Sequence, residues 1–399
     1  MTGRERILAS LAGRAADRLP VDIGATEATG VSAEAYGPLK SGLGLSGGHT
    51  RVADPCLLTV RVERTFRERL GADAAGLFFE PRRWRPGRLP DGQDCLYPER
   101  WRADRTSDGG EVFRHPVAEL VCRRRPGERV FRCEGLPLAE CRTADDVAKK
   151  LQAIAFFDWP YHADETAPEF GARVRAVRAE TEAALVLNCR LRLVGGALAL
   201  RGEAFLGDLD ANPAVADAIL GRLADAYVAR LTDVLPEVVG AADVVCVTEG
   251  PTEGLGVDLY RRRVRRHHER LFAHIRKTSG LPIVLALSGV EPALARELVE
   301  LGADAVAPAA AEEGASRPVA SLSDWRSELG RDVTLWGVGC RASILKSLEP
   351  AAVREEVRRA VDSAGGPARL VFAFPEPLPP GTRAENLLAA VEAAREMRP

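Results

Sequence analysis

The sequence predicts an α/β protein, a (β/α)8 TIM barrel with an antiparallel insertion after the second strand. Three observations carry that expectation. Eight short apolar runs bounded by turn residues recur along the 399 residues, as strands of a buried parallel sheet do. In the second half these runs are spaced for one crossover helix each, and a stretch rich in Arg, Gly, Pro and Asp breaks the repeat once.

The elements follow in order. The opening MTGRERILASLAGRAADRLP sets Leu and Ile among charges at helical spacing and has no continuous apolar stretch of the kind a secretory signal needs. The apolar runs span 21–25, 75–80, 183–189, 243–249, 282–288, 303–307, 333–339 and 369–374. From the fourth onward their starts lie 39, 21, 30 and 36 residues apart, each enough for one right-handed crossover. Asn212-Pro213 and Glu349-Pro350 put proline at a first helical position, Asp258 stands where it would cap LYRRRVRRHHERLFAHIRK, and Gly280, Gly302 and Gly330 follow helix ends. Eight such units close into a barrel, with a doubly wound open sheet as the alternative. A dinucleotide fold lacks its fingerprint here, because the glycines of Gly24-Ala25-Thr26-Glu27-Ala28-Thr29-Gly30 have the wrong spacing. Residues 81–142 contain short alternating pieces such as EVFRH and ERVFRC, which predict hairpins. A loop inserted after a barrel strand rises at the C-terminal mouth, where active sites sit. Residues 1–399 are thus expected to form one barrel domain with an insertion at 81–142.

Charge narrows the partners. With 55 Lys and Arg against 57 Asp and Glu the net charge is -2, which gives no long-range attraction to nucleic acid or an anionic membrane. The longest apolar runs, such as 281–287, fall far short of a membrane span. A cytoplasmic location is the expectation. Eight cysteines occur without a C-x-x-C pair, so they read as reduced, packed thiols rather than a zinc ribbon or thioredoxin motif.

Several segments together resemble the uroporphyrinogen decarboxylase superfamily, whose members are (β/α)8 barrels. RERILASLAGRAADRLPVDIGATEATGVSAEAY is similar to its opening helix, D-R-x-P-V strand and T-G turn; LGADAAGL resembles its second-strand segment. RGEAFLGDLDANPAVADAILGRLADAYVARL resembles its R-G-x-E region, and DLYRRRVRRHHERLFAHIRK its L-Y-R helix; the tail from TLWGVGC through AENLLAAVEAARE matches as well. The superfamily implies two chemistries: decarboxylation without metal or cofactor, and methyl transfer between corrinoid proteins and thiols with zinc. The N-terminal third looks more like the second branch.

The departures from that branch bear on chemistry. Its members place H-x-C at the end of the fifth strand and a further Cys after the last, since zinc needs three soft or borderline ligands with one open position. In this chain the His position is Ala286 and the Cys position Ser288, and the last Cys falls near Glu376 or Pro377. No metal and no cofactor are therefore expected. The acidic loop after the fourth strand is shortened to TEGPTEGLGVD, with Glu249 and Glu253 keeping its acidity, and ATEATG replaces the Arg-rich turn that would hold porphyrinogen carboxylates.

Side chains at the C-terminal ends of barrel strands converge on one mouth. The candidates are Glu27, Thr29, Glu80, Asn188, Arg190, Arg192, Glu249, Glu253, Ser288, Cys340 and Glu376, with Arg201 from the RGE motif. Glu249, Glu253 and Ser288 are read as the catalytic group; the others line the substrate. A desolvated carboxylate can act as general acid or base, and guanidinium binds carboxylate bidentately. Solvated loop acids, an Arg201 to Glu203 brace and a packed Cys340 are the bland alternatives. His267 and His268, one apart on a helix, cannot chelate one ion together and read as surface or packing residues. The expectation is a metal-independent enzyme acting by acid-base chemistry, decarboxylation first, on a small carboxylate-bearing molecule, with Glu249, Arg190 and Arg201 in one pocket. Corrinoid-linked methyl transfer without zinc and a non-catalytic binding barrel are the alternatives, and a corrinoid protein or a second copy forming a homodimer are the further partners considered.

Overall fold

The structure, a computed structural model, describes residues 1–157, 162–309, 320–337 and 341–399. Seven parallel strands lie side by side in chain order: Ala74–Leu77, Ala184–Arg190, Val244–Glu249, Ile283–Ser288, Ala305–Ala309, Thr334–Trp336 and Leu370–Val371. Val21 forms a parallel bridge to Phe372, and its carbonyl accepts the Asp73 N–H at 2.7 Å. It thereby joins the last strand to Ala74–Leu77 and closes a barrel of eight positions, counted below from Val21 as the first.

Both faces of these strands are apolar. Val186, Val244, Cys246, Val284, Ala286, Ala305, Ala307, Trp336 and Val371 pack inside the barrel, while their neighbours Leu185, Val245, Val247, Leu285, Val306, Leu335 and Leu370 pack outward against the helices. The interior residues are mostly small, and Trp336 fills the space they leave. Helix Gly3–Leu11 adds Ile7 and Leu11 to this inner cluster, and Thr334 Oγ1 donates to Ser10 O at 2.8 Å. The helix therefore plugs the barrel from its N-terminal end.

One local device recurs at that end. Asp73 N–H donates to Val21 O, Asp243 N–H to Leu185 O and Asp304 N–H to Ile283 O. In each case the favour is returned: the same aspartate's carboxylate accepts the N–H of Val21 at 2.9 Å, of Leu185 at 2.8 Å and of Ile283 at 2.8 Å. Each starts an even strand and clasps the odd strand before it. The carboxylates are neutralised by arginines: Arg6 and Arg18 on Asp73, Arg4 and Arg178 on Asp243, Arg276 on Asp304. Charge-assisted bonds of this kind are stronger than neutral ones.

The insertion is antiparallel. Trp84–Arg88 pairs with Asp94–Pro98, and Asp104–Arg105, Glu111–Arg114, Val121–Arg124 and Arg132–Gly135 form a four-stranded sheet. It rests on a hairpin absent from the sequence expectation, Val52–Asp54 with Thr59–Val60, through the Arg51 to Leu96 bridge and the Phe131 N–H to Cys56 O bond. Because Asp54 of this hairpin meets Arg190 at the C-terminal end of the third strand, the insertion sits on the mouth side. Two helix boundaries differ from expectation. Gly256, not Asp258, is the N-cap of Val257–Arg263, and the long run breaks at Val264 into a second helix, Arg265–Ser279. Among the described residues no helix is long and apolar enough to cross a membrane.

Replacing Asp73 by Ala leaves Arg6, Arg18 and the Val21 N–H without their shared acceptor. Removing one member of a buried charge cluster costs about 3–5 kcal/mol, so the urea midpoint should fall steeply at unchanged slope. Asp304→Ala, whose Arg276 partner is 39% exposed, should cost less, about 1–3 kcal/mol. Equal losses would contradict the clasp's weight at the first strand.

Candidate functional site

At the mouth of the first three strands lies a cavity of about 110 Å³, bounded by the Gly24–Gly30 turn, the 53–62 segment, Phe78 and Phe79, the third strand and Leu231 and Val234 of helix Pro213–Val238. Four arginines line it, Arg61, Arg67, Arg190 and Arg230, against two carboxylates, Glu27 and Asp54. The cavity is cationic.

The turn that floors it is fixed by a buried acid. Asp22 accepts from the Ala25 N–H at 2.8 Å, Thr29 Oγ1 at 2.9 Å and Trp336 Nε1 at 2.8 Å. Burial pushes its carboxyl up to about 6, against the pull of these three donors. Thr29 therefore braces the turn. Asn188, inward on the third strand, ties the turn to the barrel by donating to Ala25 O at 2.8 Å and Val186 O at 3.1 Å.

Arg190 is inward by the same alternation and is held between Glu27 and Asp54. Burial disfavours its charge, but the two carboxylates outweigh burial and keep it protonated; reciprocally, Arg190 holds the buried Asp54 carboxyl below its ordinary range. Arg61 meets Glu80 at 2.9 Å, and Arg173 reaches the same carboxylate at 3.5 Å. Glu80 thus serves as counter-ion to two arginines at the cavity rim. Arg67, on helix Arg64–Leu70, is different. Its Nη1 donates to Val62 O at 2.7 Å, and among the described residues no carboxylate lies within ion-pair distance of it. Burial pulls its pKa down, so an anion entering the cavity would relieve a desolvated charge.

The expected meeting of Glu249, Arg190 and Arg201 does not occur, and strand alternation is the reason. Val244 and Cys246 face the interior, so Glu249 points outward. Its carboxylate sits at the N-terminus of helix Leu193–Arg201, accepting the N–H groups of Leu193, Val194 and Gly195 at 2.9, 3.2 and 3.1 Å, and that of Gly250 at 2.7 Å. An anion there satisfies donors that no helix can satisfy internally. Gly195 permits the approach, since a Cβ on it would lie 1.8 Å from Gly250 O. His268 Nε2 completes the shell at 2.7 Å, and the Tyr260 hydroxyl contacts its Nδ1 at 3.2 Å. Burial raises the Glu249 pKa, but His268 and the backbone donors outweigh it and the carboxyl titrates below its ordinary value. Arg201 is buried elsewhere, paired with Asp208 rather than Glu203 and donating to Leu138 O and Ala139 O.

The remaining candidates scatter. Glu253 is exposed in the loop after the fourth strand. The Arg192 guanidinium lies over the Phe157 ring at 5.5 Å. Glu376 accepts the Ala342 N–H at 3.0 Å. Ser288 ends the fifth strand, half-buried, and Cys340 lies outside the described residues. Glu27, Asn188 and Arg190 are the three that the cavity brings together. Sequence reading missed Asp54, Arg61, Arg67, His162 and Cys189, which also line it. His162 Nε2 contacts Ala53 O at 3.2 Å, and burial lowers its pKa. Burial raises the Cys189 thiol to about 12, which unsuits it as a nucleophile at neutral pH.

Val284 and Ala286 face the barrel interior on the fifth strand, which points Ser288 inward as well, and neither Ala286 nor Ser288 is a zinc donor of the required kind. Among the described residues no group of three or more His, Cys, Asp or Glu side chains could hold a metal ion. These residues do not fit zinc.

Comparison with known proteins accords with the barrel. A methyltransferase from Methanosarcina mazei superposes over 99% of this chain and 99% of its own with a TM-score of 0.57 at 16% identity, a likeness of fold. Endo-glycoceramidase II from Rhodococcus sp., in a cellobiose-like imidazole complex, matches 73% of this chain and 80% of its own at 15% identity and a TM-score of 0.35. No curated protein matches the sequence. Residues 191–397, more than half of the chain, match the family described as Uroporphyrinogen decarboxylase (URO-D), and the protein belongs to that family.

Proposed function

We propose that the protein is an enzyme that binds a small carboxylate-bearing molecule in the cavity at the mouth of the first three strands and acts on it by acid-base chemistry without a resident metal, with decarboxylation as the reaction. The observation that carries this reading is Arg67: a guanidinium lining the cavity and partly desolvated there, with no carboxylate of the described residues in ion-pair reach. Buried charges are ordinarily paired, and a substrate carboxylate would pair this one bidentately. Size supports a small substrate. A cavity of about 110 Å³, against the roughly 150 Å³ of one that admits benzene, suits a molecule of a few heavy atoms.

Within this reading the residues divide their work. Arg67 anchors the substrate, and Arg190, already shared by Glu27 and Asp54, keeps the positive field focused at the third strand. Loss of carbon dioxide leaves an electron pair on carbon that must take a proton. We assign that proton transfer to Glu27, which lines the same cavity half-buried and shares Arg190 with Asp54. The apolar walls at Val60, Val62 and Leu187 exclude water and suit an uncharged product.

Three variants test the assignment. Arg67→Met should weaken binding of a small carboxylate by roughly thirtyfold, the equivalent of about 2 kcal/mol, measured by calorimetry; unchanged affinity would remove the anchor. Glu27→Gln should leave binding intact and cut release of labelled carbon dioxide by about a hundredfold; full turnover would remove the acid. Glu249→Gln should do neither directly. It should lower stability by roughly 1–3 kcal/mol while the folded protein binds ligand normally. Since the native carboxyl titrates below the ordinary 4.5, its stabilisation is present above that pH and lost as pH falls through the lower folded value. The variant's acid-unfolding curve should therefore be flatter in that window.

A further inference from the structure

The four-stranded sheet of the insertion places two thiols face to face. Cys122 and Cys133 are directly opposed partners on the antiparallel strands Val121–Arg124 and Arg132–Gly135, and their Sγ atoms are 3.0 Å apart. Opposed residues on such strands have Cα atoms about 4.5–5.5 Å apart, inside the window a disulfide spans. The two sulfurs differ in access. Cys122 is buried with Trp101 and Phe113, whereas Cys133 is exposed. Burial and the bond to Cys133 push the Cys122 thiol up, and either sulfur can donate that bond, so it is access that makes Cys133 the sulfur a solvent oxidant meets first. Neither cysteine lines the cavity of the proposed function, and both remained unexplained by it.

We propose that Cys122 and Cys133 form a redox-active dithiol site in the insertion, oxidised to a disulfide by a peroxide and restored by a dithiol reductant. The Cys133 thiolate attacks one peroxide oxygen, forming an S–O bond as the O–O bond breaks, and the departing hydroxide takes up a proton to become water. The Cys122 thiol then attacks that sulfur. The S–S bond forms, the S–O bond breaks, and the second hydroxide leaves with the Cys122 proton as water. Two thiols and one peroxide thus give one disulfide and two waters, the sulfurs losing the two electrons that the peroxide gains. An opposed pair with one exposed sulfur is the labile sort of disulfide rather than a permanent staple.

The bond would reach the mouth through the backbone. Phe131, two residues before Cys133, donates to Cys56 O, and the Cys56 N–H donates to Asp54 Oδ1 at 2.8 Å. Asp54 is the counter-ion of Arg190.

The test is peroxide treatment of the whole reduced protein, followed by alkylation, trypsin digestion and mass spectrometry. The expected product is a peptide pair joined through Cys122 and Cys133, lighter by two hydrogens and separated by dithiothreitol. Cys122→Ser should stop at a Cys133 sulfenic acid that dimedone traps. Cys133→Ser, an exposed and isosteric change, should keep the native circular dichroism and give no cross-link. The proposal is overturned if both thiols remain alkylatable after peroxide, or if Cys133 joins Cys56 or a second copy instead. These outcomes do not depend on any ligand in the cavity, so they are read separately from the proposed function.

Discussion

The barrel depends on how its odd and even strands are clasped at their starts. Asp73, Asp243 and Asp304 each exchange two hydrogen bonds with the strand before them, one by backbone and one by carboxylate. This matters most at the first strand, which contributes little more than Val21 and its neighbours. With so short a ladder, ring closure rests on the Phe372 bridge on one side and Asp73 on the other. These carboxylates lie at the N-terminal end of the strands, where a barrel keeps stabilising residues, and leave the opposite end for chemistry. Helix Gly3–Leu11 plugs the same end, and Arg4 and Arg6 bring its charge to Asp243 and Asp73.

Closure also fixes which side chain looks where. Successive residues on a strand face opposite sides, so Asn188 and Arg190 enter the mouth while Glu249, at the end of the adjacent strand, enters the layer of helices. There it does what a carboxylate at a helix N-terminus does: it takes up unsatisfied N–H groups. The two arginines that sequence grouped with it are separated because Arg190 ends a strand while Arg201 lies at the far end of helix Leu193–Arg201. Arg190 is held by acids of the cavity, whereas Arg201 braces the chain leaving the insertion through Leu138 O and Ala139 O. What remains open at the mouth is a small cationic cavity whose distinctive member is Arg67.

The barrel was legible because its strands are apolar on both faces and evenly spaced, and the insertion because its composition breaks that spacing. The same two-sided apolarity hid the site. Val244 through Val247 carry no polar alternation to say which parity points inward, so Glu249 could not be assigned a face. Asp54 and Arg67 were missed for another reason: they lie on a three-residue strand and a seven-residue helix, too short for periodicity to register. A usable signal did exist in Gly71-Ala72-Asp73, Gly240-Ala241-Ala242-Asp243 and Gly302-Ala303-Asp304, where an acid follows a helix-ending glycine and starts an even strand. That recurrence marks the clasps. Glu249 and His268 are nineteen residues apart, and only the tertiary packing of helix Arg265–Ser279 unites them.

The central claim is that the cavity at the mouth of the first three strands, and not the neighbourhood of Glu249 and Arg201, receives a carboxylate. The most direct measurement is a crystal structure of the protein grown with acetate as a small carboxylate probe. The account predicts density inside the cavity with a carboxylate paired to the Arg67 guanidinium. An empty cavity with the probe bound beside Arg201 or at the helix N-terminus occupied by Glu249 would contradict it.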